Sequence, residues 1–226
     1  SFVSFSFACF TTFFISFSAL SADAEQAVSL LERLSQSLRQ LNFNTSFVVV
    51  KNNQAEPYHW LHGIIKKQAN ENESVNETVS EGNIELEILA LLNGPRRDIL
   101  RINNTVSYIE PELPPYSVIS QQISGPIPSI LSKDVSTLIS SYDFISVGRS
   151  RVLGRPAQLI RIESKDQHRF GHWLWLDQST GLLLKLALLT KKGQLLEQVQ
   201  FTHLDITDRP SDSIKQLQSA ELPKVI

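Results

Sequence analysis

Residues 142–203, YDFISVGRSRVLGRPAQLIRIESKDQHRFGHWLWLDQSTGLLLKLALLTKKGQLLEQVQFTH, place the tightest constraint on the fold. Turn-forming clusters at 151–156, 165–167, 177–181 and 191–193 divide this stretch into five apolar runs of strand length. The expected structure is a meander of antiparallel strands. Gln158, Ile160 and Ile162 fall on one face and Leu159, Arg161 and Glu163 on the other, the period of two that a pleated strand imposes. In the next run Phe170, His172, Leu174 and Leu176 share one face, and Arg169, Gly171, Trp173 and Trp175 share the other. Both faces are substantially apolar, so the strand needs cover on both sides, and either the Trp173/Trp175 face or the His172/Leu174 face looks inward. The leucines of 182–189 favour helix, but turn signals at both ends and strands on either side favour a buried strand.

The chain of 226 residues allows one large domain or two small ones, at ~100–200 residues each. A net charge of −2 gives no nucleic-acid signal. Residues 1–22 carry no charge, are rich in Phe, Ser and Thr, and close on small residues at Ala19, Ser21, Ala22 and Ala24. Residues 1–24 are therefore expected to be a signal peptide with a truncated start, cleaved near Ser21 or Ala24. A transmembrane anchor is the competing reading, since the length nearly suffices. Cys9, the one cysteine, lies inside this segment, so a processed chain has no disulfide.

Asp23 is a helix cap with Gln26 three residues on, and Val28, Leu31, Leu34, Leu38 and Leu41 follow at helical spacing, predicting an amphipathic helix over 23–41. Two strands at 43–51 and 58–67, joined by NNQAEP, read as a hairpin. Residues 68–83 are polar and acidic and read as a solvated loop. Strands resume at 84–92, 96–102 and 105–110. Prolines 111, 114, 115, 126 and 128 then exclude a central strand, with short helices expected at 127–132 and 135–140 and another at 211–220. Ten or eleven strands and few helices make a mainly β, α+β fold: a strongly curved antiparallel sheet or an unclosed barrel. It is expected over 25–218, with 219–226 starting a linker and no C-terminal domain following.

Enzyme motifs are missing: the sequence has no Gly-x-Ser-x-Gly, no His-Glu-x-x-His and no phosphate-cradling glycine loop. His59 and His62, three apart on a strand, face opposite ways and do not chelate together, so neither a metal nor a cofactor is expected. Arg96 with Arg97, and Arg149 with Arg151, are candidates for contact with a lipid phosphate or an acidic partner, against the plainer reading of solvated arginines on a sheet. Trp60, Trp173 and Trp175 are either core or ligand wall.

The strings NGPRRD (93–98), SYIEPELPPYS (107–117), YDFISVGRSRV (142–152), WLD (175–177) and GQLLEQVQF (193–201) together resemble the RseB/MucB family of periplasmic sigma-E regulators, from about residue 24 to 223. The resemblance implies an N-terminal domain shaped like an unclosed barrel, similar to the lipoprotein carriers LolA and LolB. It further implies a non-enzymatic negative regulator of the envelope-stress response that binds the anti-sigma factor RseA, protects it from proteolysis, and releases it on sensing mislocalised lipopolysaccharide or related lipid. The alternative is a periplasmic lipoprotein or lipid carrier; homo-oligomerisation is left open. On that reading an acyl groove is expected on the concave face, with Trp60, Trp173 and Trp175 as lining and Arg96 and Arg97 at its mouth.

Overall fold

The computed structural model describes residues 22–66, 82–123, 134–166 and 168–226. Residues 1–21 of the expected signal peptide, most of the acidic loop and the helix expected at 127–132 lie outside them. Within them the chain runs α1 (Ala22–Gln40), β1 (Asn42–Lys51), β2 (Gln54–Ile65), β3 (Ile84–Leu91), β4 (Asp98–Ile102), β5 (Thr105–Ile109), β6 (Tyr116–Ile119), α2 (Val135–Leu138), β7 (Tyr142–Val152), β8 (Arg155–Ser164), β9 (Gly171–Asp177), β10 (Leu183–Leu189), β11 (Leu195–Thr207) and α3 (Asp212–Gln218). All eleven strands form one sheet in the order β6-β5-β4-β3-β2-β1-β11-β10-β9-β8-β7. Every strand pairs antiparallel with its neighbours, and the end strands β6 and β7 do not meet. The barrel is unclosed, as the strand count predicts, and it consists of two meanders, β1–β6 and β7–β11, joined by β1 against β11.

The inner face is set by the pleat. Phe43, Thr45 and Phe47 of β1 stand opposite His62, Trp60 and Tyr58 of β2, and His172 and Leu174 of β9 stand opposite Leu188 and Leu186 of β10. Against this face α1 lays Ala27, Leu31 and Leu34, which join Phe43, Phe47, Phe144, Ile160, Leu174 and Leu186 in the main core. Burial of one such leucine contributes about 1.5–3 kcal/mol, so the stripe read from the sequence accounts for the docking. The helix is also clamped at its side. The Arg33 guanidinium donates to the Gln178 and Ser179 carbonyls and Ser37 Oγ to the Thr180 carbonyl at 2.5 Å. On the outer face, α3 packs Ile214 and Leu217 on Leu61 and Leu86. A β-carbon on Gly63 would lie 2.6 Å from Ile214 Cγ2, so this seat requires glycine.

The β1–β2 turn is tighter than NNQAEP suggests. Asn52 and Asn53 both take positive φ (51° and 59°), and β2 starts at Gln54. Pro57 is accommodated in β2 because it stands at the end of the β2–β3 ladder, just past the Tyr58–Leu91 pair: Leu92 N–H still donates to its carbonyl at 2.9 Å, and a single ladder bond is forgone. The proline-rich connection does contain a strand, β6, but at the edge. The stretch expected to begin a linker runs beside it: Ser117 N–H donates to the Lys224 carbonyl (2.9 Å), and Ile226 N–H to the Ser117 carbonyl (3.0 Å).

Candidate functional site

Helix α1 fills the concave face over the β7–β11 half, and the space it leaves free is a cavity of about 590 Å³ open to solvent. Its floor is apolar: Val49, Tyr58, Leu89, Ile99, Tyr108 and Leu188. Charges gather around it, among them Lys51, Glu56, Arg97, Glu110 and Glu197, with a 3.1 Å ion pair between Lys51 and Glu197. Tyr58 stacks on Phe47 (centroids 5.4 Å apart) and donates its hydroxyl to Glu56 at 2.9 Å. Burial and that acidic partner push the phenol up to about 12, so it stays neutral. His172 lines the cavity as a buried side chain; burial pushes its imidazole down to about 4, leaving it uncharged at neutral pH. Among the described residues its Nδ1 has no hydrogen-bond partner. The size lies within the ~300–1,000 Å³ typical of ligand pockets, and an apolar floor under a charged rim suits an amphipathic molecule.

The three tryptophans separate. Trp60 is on the inner face but deep in the main core, its ring edge-on to Phe43 at 4.9 Å, and it does not line the cavity. Trp173 and Trp175 do not line it either. They stand on the outer face, because His172, Leu174 and Leu176 take the inward positions of β9. Their rings lie 6.3 Å apart, with the Arg161 guanidinium 5.2 Å from the Trp173 centroid and the Lys185 ammonium 4.8 Å from that of Trp175. None of the three tryptophans expected as groove lining lines the cavity, and for Trp173 and Trp175 the reason is that two apolar faces leave the period without a sign. The arginine pair divides: Arg97 lines the cavity, whereas Arg96 is held by Asp98 at 2.6 Å.

A buried polar cluster escaped sequence reasoning. Glu85 and Glu87 of β3, His62 of β2 and Arg101 of β4 meet on the inner face. Arg101 donates to both carboxylates, reaching Glu87 at 2.9 Å, and His62 sets Nδ1 2.6 Å from the Leu41 carbonyl and Nε2 3.1 Å from Glu85. Burial would raise the Glu85 carboxyl, but hydrogen bonds from His62 and Arg101 override it and hold it at about 2. His62, Glu85 and Glu87 have ligand atoms within 4.8 Å of one another, a spacing compatible with a metal ion. Arg101, however, already occupies the carboxylates and puts a positive charge where a cation would sit. The available signal was the Glu85/Glu87 alternation in an otherwise apolar strand.

An antiparallel barrel left open along one side, with a solvent-facing apolar cavity on its concave face, defines an unclosed-barrel domain. Within that class the chain belongs to the family of the MucB/RseB N-terminal domain, whose family model matches residues 26–76 and 72–226. It is 28% identical over 210 residues to the sigma-E factor regulatory protein RseB of Escherichia coli K12, covering 93% of this chain and 61% of that one. To the sigma factor AlgU regulatory protein MucB of Pseudomonas aeruginosa it is 34% identical over 203 residues, covering 90% and 57%. A solved complex of Pseudomonas aeruginosa MucA and MucB superposes with a TM-score of 0.63 at 32% identity, covering 86% of this chain and 61% of that one. The chain thus spans about six-tenths of the length of these curated relatives.

Proposed function

We propose that this chain is the unclosed-barrel domain of a periplasmic negative regulator of a sigma-E-type envelope-stress response. It binds the periplasmic part of an RseA/MucA-type anti-sigma factor, protects it from proteolysis, and lets go when lipopolysaccharide or another mislocalised lipid enters the concave cavity. The observation that carries this reading is the similarity, along nearly the whole chain, to sigma-factor regulators that include a MucB solved with MucA. The cavity supports the sensing half. Tyr58, Leu89, Ile99, Tyr108 and Leu188 form the apolar wall, and Arg97 and Lys51 are placed to meet phosphate. Each methylene removed from water contributes about 0.8 kcal/mol, whereas one already seated in a bilayer gains almost nothing. Such a cavity discriminates stranded lipid from properly packed lipid.

The test is capture of the anti-sigma factor's periplasmic domain by this chain, with and without lipopolysaccharide. Binding that lipid reverses is the expected result. Failure to bind in its absence removes the regulator reading; exchange of lipid or acylated protein with no anti-sigma binding assigns the domain to carriage instead.

A further inference from the structure

The two edges of the sheet are treated differently. Edge β6 is four residues long, and the chain's own 224–226 segment runs along it. Edge β7 is eleven residues long, and among the described residues no other strand pairs with its outer side. Its final part is ordered by a tight hairpin: Leu153 and Gly154 both have positive φ (54° and 71°), so Val152 and Arg155 close the turn as a hydrogen-bonded pair. Counting back, Arg151, opposite Pro156, and Arg149, opposite Gln158, occupy non-hydrogen-bonded positions. Their backbone N–H and C=O groups therefore turn toward the open edge. Proline opposite Arg151 fits this assignment, because it has no N–H to give.

The two side chains project to the same side, both exposed; Arg151 makes one 3.3 Å contact, to the Gly154 carbonyl. The corner is basic. Arg33 reaches the Gln178–Ser179 turn, which is tied to Pro156 through Gln178 N–H, while Arg155, opposite Val152, alternates to the other face of the sheet. Asp177, a buried acid opposite Ala157, is engaged by Arg155 at 3.0 Å. A second copy pairing antiparallel on this edge would set arginine against arginine, which opposes self-association.

We infer that the Arg149–Arg151 edge of β7 receives an extended acidic segment of a partner protein as a twelfth strand, through backbone hydrogen bonds and alternate carboxylates facing the two arginines. The inference rests on the reading that this chain is a protein-binding regulator, and names how that partner docks. Strand addition supplies affinity through the main chain and specificity through every second side chain.

The test uses a fluorescent decapeptide alternating Glu and Thr, in versions N-methylated on one or the other set of alternate backbone nitrogens, with anisotropy as readout. Binding is expected for the unmodified peptide, loss of at least tenfold for one methylated set, and none for the other. The Arg149→Glu/Arg151→Glu variant should lose the Glu peptide and gain its Lys counterpart, a swap that also shows the variant is folded. No binding of the Glu peptide, indifference to both methylations, or no effect of charge reversal each overturns the inference. So does a dimer of the wild-type chain, seen by sedimentation, that the reversal dissolves, since it assigns the edge to a second copy. Titration of the anti-sigma periplasmic domain separates the two proposals: equal binding to wild type and reversed variant rejects the edge and leaves the regulator standing. No binding to wild type rejects the regulator, and the edge is then judged by the peptide alone.

Discussion

Replacing Glu85 with Gln isolates the electrostatic part of the buried cluster. The folded protein holds this carboxyl at about 2, against an ordinary value of 4.5. At about 1.4 kcal/mol for each pH unit, that difference is worth about 3 kcal/mol at neutral pH. With 26% of the side chain still facing solvent, screening reduces it to about 2 kcal/mol. The sign follows from the direction. A carboxyl depressed on folding stabilises fully above its unfolded value and progressively less as pH falls from 4.5 toward 2. Urea unfolding of wild type and Glu85→Gln at pH 7, 5, 3.5 and 2.5 gives the difference directly, other carboxylates being common to both. It should stay near 2 kcal/mol down to about pH 5 and shrink to less than ~1 kcal/mol at pH 2.5. A gap of the same size at every pH would mean that His62 and Arg101 hold Glu85 by shape and neutral hydrogen bonding, and the charge argument would be wrong.

Gly63→Ala should cost about 1–3 kcal/mol by driving its methyl into Ile214, and Ile214→Ala in the same chain should recover part of the loss, seen as coupling in a double-mutant cycle. Asp177→Asn should cost about 2–4 kcal/mol in chemical denaturation, because this fully buried carboxylate accepts from Arg155, Ser179 and Thr180. If the concave cavity is the lipid site, Leu188→Trp should weaken displacement of a fluorescent fatty acid at least tenfold, while Trp175→Ala on the outer face changes it less than twofold.

Much of the fold was legible because it rests on period and punctuation. The helix expected at 23–41 is found at Ala22–Gln40, and the turn clusters of 142–203 separate five strands. Propensity misled least where alternation was clean, as in β8, whose Ile160 and Ile162 face the core. The candidate site was less legible. In β9 both alternating sets are apolar, so nothing local says which one the curvature turns inward; only the pairing of His172 with Leu188 and the docking of α1 decide it. The cluster of His62, Glu85, Glu87 and Arg101 was illegible for a different reason. Its members come from three strands and satisfy one another only after the sheet has brought them into register.

The strand order also dictates how the chain must assemble. From β1 to β6 and from β7 to β11, each strand pairs with its neighbour in sequence, so each half of the sheet consists of hairpins, which, apart from β2–β3 with its long connection, close over short loops on a microsecond timescale. The named strands of the two halves join at one seam, β1 against β11, where Val49 pairs with Val199, 150 positions away. Such a contact is entropically remote and slows folding. The seam is nonetheless well provided: Phe47 packs on Phe201 at 5.2 Å, and α1, carried by the first half, docks on β7 of the second. Two fragments divided between β6 and β7 therefore each contain a complete run of local pairings. Mixed together, they hold everything needed to rebuild the sheet without a covalent link between them.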